Sequence, residues 1–236
     1  MRRTREPMHL VNRVRIVECG DPMVDLGEHC PNLLLRGRPM YARRRIADML
    51  NEADAHLPDG TRFLVVCGYR TLSEQQRMYW RYYRQLRKDH PAWPENILRR
   101  QTNRYVAPPD AKAPPGHCTG GAVDITVADE RGVPLDMTAP YSWPEKKSNA
   151  TYAPCIDGTA RRNRRILIRA LSAVRFSNCA DEWWHWSYGD SAWAVRVGRR
   201  VAIFGLVEVP GYEGPRITAD WNRRPLQRPR LEHAAQ

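Results

Sequence analysis

The chain has 236 residues, 42% of them hydrophobic and 27% charged, with a formal net charge of +12. That balance describes an ordinary soluble globule, long enough to bury roughly 70% of its unfolded surface without cross-links, and no apolar run approaches the ~20 residues that a membrane span needs. The charge excess is almost all arginine, with four lysines, and is spread along the chain; specific binding to nucleic acid is therefore not expected, although anionic small molecules would be attracted.

In chain order, "MRRTREPMHLVNRVRIVECG" has the basic start of a signal peptide but no apolar stretch after it. The expectation is a cytoplasmic protein whose six cysteines (19, 30, 67, 118, 155 and 179), none in a CxxC pair, are free thiols. Residues 40–56 place Met40, Ile46, Met49, Leu50 and Ala53 near helical period, and Pro58-Asp59-Gly60 is a turn. "RFLVVC" at 62–67 reads as a buried strand, 72–88 as a helix, and 94–104 as a weaker helix beginning at a proline. "APPDAKAPPG" at 107–116 is a proline-rich loop, and 121–137 reads as a strand, a turn at Asp129–Gly132 and a second strand. Residues 159–174 put Ile166, Leu167, Ala170, Leu171 and Val174 on one helical face, and "EWWHWS" at 182–187 reads as a strand. The arginine runs at 43–45 and 161–165 open helical patterns and read as solvated faces. From Val209 prolines and arginines dominate, which predicts a domain over 1–208 and a tail over 209–236.

Three stretches carry candidate chemistry. "PPGHCTGGAVDITV" (114–127) holds His117 and Asp124 across a glycine pair, and "DEWWHWSYGD" (181–190) holds Glu182 and His185. Two imidazoles and one carboxylate are a ligand set that catalytic zinc uses, with the fourth position left for water. The plain alternative is a structural histidine by a tight turn and an aspartate at a ladder edge. Glu182, three residues before His185, could pass a proton between a water and a leaving amine. Residues three apart in a regular strand face opposite sides, so Glu182 must sit at a bend, which Trp183 and Trp184 would lock and keep dry; otherwise it merely pairs with an arginine. In "VVCGYRTLSEQQ" (65–76), Arg70 ends a strand, where it suits an anionic intermediate or a substrate carboxylate, or a salt bridge at the helix entry.

Together these stretches resemble the zinc D-alanyl-D-alanine dipeptidases of the vancomycin-resistance (VanX-like) type, within the wider group of DD-carboxypeptidases and dipeptidases. The family pattern SxHxxGxAxD reads here as Pro115, His117, Gly120, Ala122 and Asp124. Its ExWH reads as Glu182, Trp184 and His185, and its GYR as Gly68, Tyr69 and Arg70. Pro115 stands where the family has serine, and Cys67 where it usually has aspartate. The resemblance runs from about residue 60 to 190. It implies an α+β fold in which a small antiparallel sheet carries the metal and helices flank it. It further implies one zinc ion on His117, Asp124 and His185, Glu182 as general base and acid, Arg70 at the oxyanion, and Tyr69 and Trp184 beside a small dipeptide substrate. A peptidoglycan DD-carboxypeptidase or L,D-endopeptidase would share this zinc site, and a non-catalytic zinc-binding module would keep only the metal. No membrane partner is expected, and the oligomeric state is left open.

Overall fold

A computed structural model of the protein describes residues 5–37, 39–138 and 147–214. Its centre is a five-stranded sheet of Leu34–Leu35 (β1), Thr61–Cys67 (β2), Ala122–Asp129 (β3), Ser177–Asn178 (β4) and His185–Ser187 (β5), in the spatial order β1-β2-β3-β5-β4. The edge pair β1/β2 is parallel and the other three pairings are antiparallel. Among the described residues, five helices of six or more residues surround it: Arg44–Asp54 (α1), Leu72–Asp89 (α2), Glu95–Tyr105 (α3), Gly158–Ala173 (α4) and Ser191–Arg196 (α5). This is the expected α+β architecture. None of the described helices is long and apolar enough to cross a membrane.

The alternation of β3 sets the layers. Val123, Ile125 and Val127 point to one face, where they meet Phe63 and Val65 of β2 and the apolar stripes of α1 and α4, including Ile46, Leu50, Leu167 and Leu171, all fully or almost fully buried. Each such aliphatic side chain contributes roughly 1.5–3 kcal/mol by leaving water. The other face of β3 carries Ala122, Asp124, Thr126 and Ala128. It is also buried, yet it presents a carboxylate, so this is the face that holds chemistry.

Four local expectations are corrected. Residues 41–43 are not the start of a helix: they pair antiparallel with Met23–Asp25, and α1 begins at Arg44. The reason is Arg43, which is 3% exposed and donates to the Thr119 and Asp21 carbonyls and to Glu18. Arg164 in the second arginine run is likewise 2% exposed, with its guanidinium on the Met137, Ser148 and Ala150 carbonyls and 5.4 Å from the Trp183 ring. Both runs therefore include a structural arginine as well as solvated ones. The second strand of 121–137 reduces to an isolated bridge between Ala128 and Pro134, since proline has no N–H for a ladder. Finally, "EWWHWS" forms a ladder only from His185; residues 181–184 are a turn.

Of the expected tail, residues 215–236 lie outside the described residues. Its start, 209–214, lies on the domain, with the Tyr212 ring 5.1 Å from that of Tyr41 and 5.7 Å from that of Tyr69.

Candidate active site

The sheet register assembles the site. At the end of β2 the register shifts between Val65 and Cys67, which places Cys67 opposite Asp124, and β5 places His185 on the other side of Asp124. Cys67, Asp124 and His185 thus form one row across three strands, with directly opposed side chains about 4.5–5.5 Å apart at their Cβ atoms. His117 arrives from the tight turn Gly116–Thr119 just before β3. Gly120 ends that turn at φ 71°, the left-handed conformation that glycine adopts without strain. Gly116 is required for space, because a Cβ there would lie 2.6 Å from Asp190 Oδ2.

The three expected ligands converge. His117 Nε2 lies 3.3 Å from Asp124 Oδ1, His185 Nδ1 lies 3.1 Å from the same oxygen, and the two ring nitrogens are 3.2 Å apart. Tetrahedral coordination at ~2.0–2.1 Å sets neighbouring donors about 3.3–3.4 Å apart, so this triangle has the dimensions of a zinc ligand set. The outer nitrogen of His117, Nδ1, is 2.8 Å from the Gly68 carbonyl. Donation there fixes the tautomer and leaves Nε2 as a lone-pair donor.

Cys67 is a donor that sequence reasoning did not count. Its sulfur lies with His117 and Asp124 in a cluster of donor atoms all within 4.8 Å of one another. His185 Nδ1 is at coordination spacing from both His117 and Asp124, whereas the Cys67 sulfur accepts from Arg70 Nη2 at 3.4 Å. Burial would raise the thiol, but Arg70 and His117 outweigh it and hold Cys67 below its ordinary value. Burial likewise opposes the charge on Asp124, and the two imidazoles overcome it, holding the carboxyl well below the usual range. Burial pulls His117 down while Asp124 and Cys67 raise it further, to a net upward shift.

Glu182 and His185 share a turn, which removes the strand-periodicity conflict. The His185 N–H donates to the Glu182 carbonyl at 3.1 Å, and the Glu182 N–H to Cys179 at 3.1 Å. The Asn178 side-chain amide clamps this turn, donating to the Glu182 and His185 carbonyls at 3.0 Å each. Desolvation raises the Glu182 carboxyl, with His185 opposing and Asp124 reinforcing; a carboxyl poised higher is a better proton carrier near neutrality. The tryptophans divide the labour. Trp186 is fully buried and bonds the Trp183 carbonyl, Trp183 packs edge-on against Trp184, and Trp184 lines the cavity.

Arg70 stands where a capping box starts α2: Thr71 and Glu74 exchange hydrogen bonds at 3.1 and 3.2 Å. Its guanidinium donates to Gln75 Oε1 at 2.8 Å, and Gln75 in turn donates to the Ala107 carbonyl at 2.7 Å. Tyr69 is not brought to the site. Its hydroxyl donates to the Val207 carbonyl at 2.8 Å, its ring packs on Tyr212, and it is absent from the described cavity lining.

A cavity of about 220 Å³ holds His117, Asp124, His185, Glu182 and Arg70 in its wall. Part of the wall is the proline-rich loop (Ala107, Ala111, Ala113, Pro114 and Pro115), and part is the N-terminal segment with Arg5, Glu6, Met8 and Val11. Asn149, Cys179 and Asp190 also line it. None of these last groups carried a local sequence signal beyond Asp190, whose side chain caps α5 through the Trp193 N–H.

The peptidase M15 family model, described as D-ala-D-ala dipeptidase, matches residues 35–203. A D-alanyl-D-alanine dipeptidase of Synechocystis sp. is 26% identical over 235 residues, covering 83% of this chain and 95% of the relative. One from Escherichia coli (strain K12) is 34% identical over 89 residues, 38% of this chain and 45% of the relative. Among solved structures, VanYB in complex with D-alanine-D-alanine aligns with a TM-score of 0.44 at 16% identity, over 81% of this chain and 94% of that one.

Proposed function

Because the chain belongs to the peptidase M15 family of D-Ala-D-Ala dipeptidases, we propose that it is a zinc metallopeptidase that hydrolyses D-alanyl-D-alanine to two D-alanines. The observation that carries this reading is the His117–Asp124–His185 triangle set beside Glu182 in the wall of one small cavity.

One zinc ion held by His117 Nε2, Asp124 Oδ1 and His185 Nδ1 would supply Lewis acidity, polarising the scissile carbonyl and acidifying the attacking water. Glu182 takes a proton from that water as its oxygen bonds to the carbonyl carbon. As the C–N bond breaks, Glu182 returns the proton to the leaving amine. The Arg70 guanidinium, held by Gln75, stabilises the negative charge that develops on the carbonyl oxygen. Gly68 fixes the His117 ring, and the proline-rich loop and Trp184 limit water around the reacting atoms.

The cavity argues for a short substrate. About 220 Å³ is below the ~300–1,000 Å³ typical of drug-sized ligands, and carboxylates in its wall favour a free ammonium. Free D-Ala-D-Ala is therefore expected to be cleaved, and N-acetyl-D-Ala-D-Ala or a stem pentapeptide little or not at all. Comparable kcat/KM on free and acetylated dipeptides would instead place the protein among the carboxypeptidases.

Arg70 gives a separate expectation. Arg70→Ala should lower kcat by at least the ~10²-fold that loss of one oxyanion donor costs, with a smaller change in KM. Arg70→Lys should restore only part of it, because a point charge lacks the fork geometry. An effect confined to KM would reassign Arg70 to a substrate carboxylate.

A further inference from the structure

A guanidinium carries five N–H donors and is costly to bury unless they are met. Arg43, buried just before α1, meets every one of them. Its Nε donates to the Thr119 carbonyl at 2.8 Å. Nη1 donates to the Asp21 carbonyl at 2.6 Å and to Glu18 Oε1 at 3.2 Å. Nη2 donates to Glu18 Oε2 at 3.0 Å and to the Gly205 carbonyl at 3.4 Å. The Arg43 backbone N–H adds a bond of 3.0 Å to the Gly120 carbonyl. Glu18 is held in turn by the Gly20 and Gly205 N–H groups at 2.9 and 2.7 Å. Thr119 and Gly120 are where the turn that carries His117 passes toward the strand that carries Asp124. Arg43 thus grips two consecutive carbonyls at the joint between two of the expected metal ligands. It is absent from the described cavity lining, so it acts on the site through that joint and not on a substrate.

Resting on the zinc-peptidase reading, we infer that Arg43 is a positioning residue for the metal site: it fixes the joint at Thr119 and Gly120, and so holds His117 at the angle that Asp124 and His185 require. The lever is short, since Thr119 is two residues from His117. Gly120, at φ 71°, has no Cβ to restrict it, which leaves the joint free to swing unless bonds fix it. Within the turn, Thr119 Oγ1 donates to the Gly116 carbonyl at 2.7 Å and accepts from the Gly121 N–H at 3.1 Å. Those bonds close the turn on itself, whereas Arg43 ties it to Glu18, Asp21 and Gly205 outside it. A lysine could not replace the fork, because its three donors radiate from one atom.

The test measures zinc affinity, by competition with a chelating dye, and the visible spectrum of the cobalt(II)-substituted full chain, in wild type, Arg43→Lys and Arg164→Lys. Arg43→Lys keeps the charge opposite Glu18 but has no donor at the Nε position. Arg164 is a similarly buried arginine whose carbonyl partners, Met137, Ser148 and Ala150, lie off the turn. Its variant reports what loss of a buried guanidinium costs in general. Arg43→Lys is expected to weaken zinc binding about tenfold or more, as loss of an outer partner of a metal ligand does, while Arg164→Lys stays within about twofold of wild type. The cobalt spectrum should shift in Arg43→Lys alone, although both variants lower the melting temperature. Zinc affinity and cobalt spectrum unchanged in Arg43→Lys, or changed equally in both variants, overturn the assignment. If Arg43→Lys does not fold, the wild-type protein decides, because linkage is reciprocal. Zinc should then slow solvent exchange of the Arg43 Nε–H, read by NMR, beyond any change at the Arg164 Nε–H, and equal changes overturn the assignment. A wild-type chain that binds no zinc takes down the zinc-peptidase reading and this inference together. One that binds zinc but releases no D-alanine takes down the dipeptidase reading alone, and the ratio of zinc affinities still decides Arg43.

Discussion

Glu182→Ala is expected to keep the zinc and the fold and to lose catalysis. Proton transfer by a positioned carboxylate is worth roughly 10²–10⁴-fold, and a group serving both the attacking water and the leaving amine stands at the upper end or beyond. The structure explains why the loss should be clean. Glu182 sits on a turn whose geometry is fixed by backbone bonds to Cys179 and His185 and by the Asn178 amide, none of which needs the carboxylate. Glu182→Gln, which keeps shape but not basicity, should be as inactive as Glu182→Ala. A variant within threefold of wild-type kcat would make Glu182 a structural residue.

The second large effect is on the metal. His117→Ala and His185→Ala each remove one corner of a triangle whose edges are 3.1–3.3 Å. Losing a partner one shell out from a metal already costs ~10–100-fold in affinity, so losing a ligand should cost more. Both variants should leave dialysis with little zinc and less than about a hundredth of the activity. His29→Ala, at a partly exposed histidine paired with Asp48, serves as the control and should keep both. Full zinc occupancy in both ligand variants contradicts the assignment.

What the sequence revealed follows from how local each signal is. Helices α1, α2 and α4 were visible because their buried faces repeat at helical period, and α2 carries a capping box besides. His117, Asp124, Glu182 and His185 were candidates by residue type and spacing, with structural roles left open, and the resemblance to the dipeptidase family is what singled them out. The bend at Glu182 followed from the conflict between three-residue spacing and strand alternation. Contacts made only in three dimensions were hidden. Arg43 and Arg164 look like surface arginines until the carbonyls they serve come round from distant segments. Tyr69 was expected beside the substrate from the resemblance carried by the Gly68-Tyr69-Arg70 motif, but its hydroxyl bonds the Val207 carbonyl and its ring packs on Tyr212. Cys67 joins the metal row only through the register shift at the end of β2. Glu6 reaches the cavity wall only through the packing of the N-terminal segment, which no local pattern in the sequence signals.

Zinc-dependent cleavage of a D,D-dipeptide is tested most directly by D-alanine release from D-Ala-D-Ala by the purified protein, with and without chelator. The expected result is two D-alanines per dipeptide, loss of turnover on chelation, and recovery when zinc is added back at about one ion per chain. Undiminished turnover after the metal has been stripped, or no D-alanine release by the zinc-loaded protein, would contradict it.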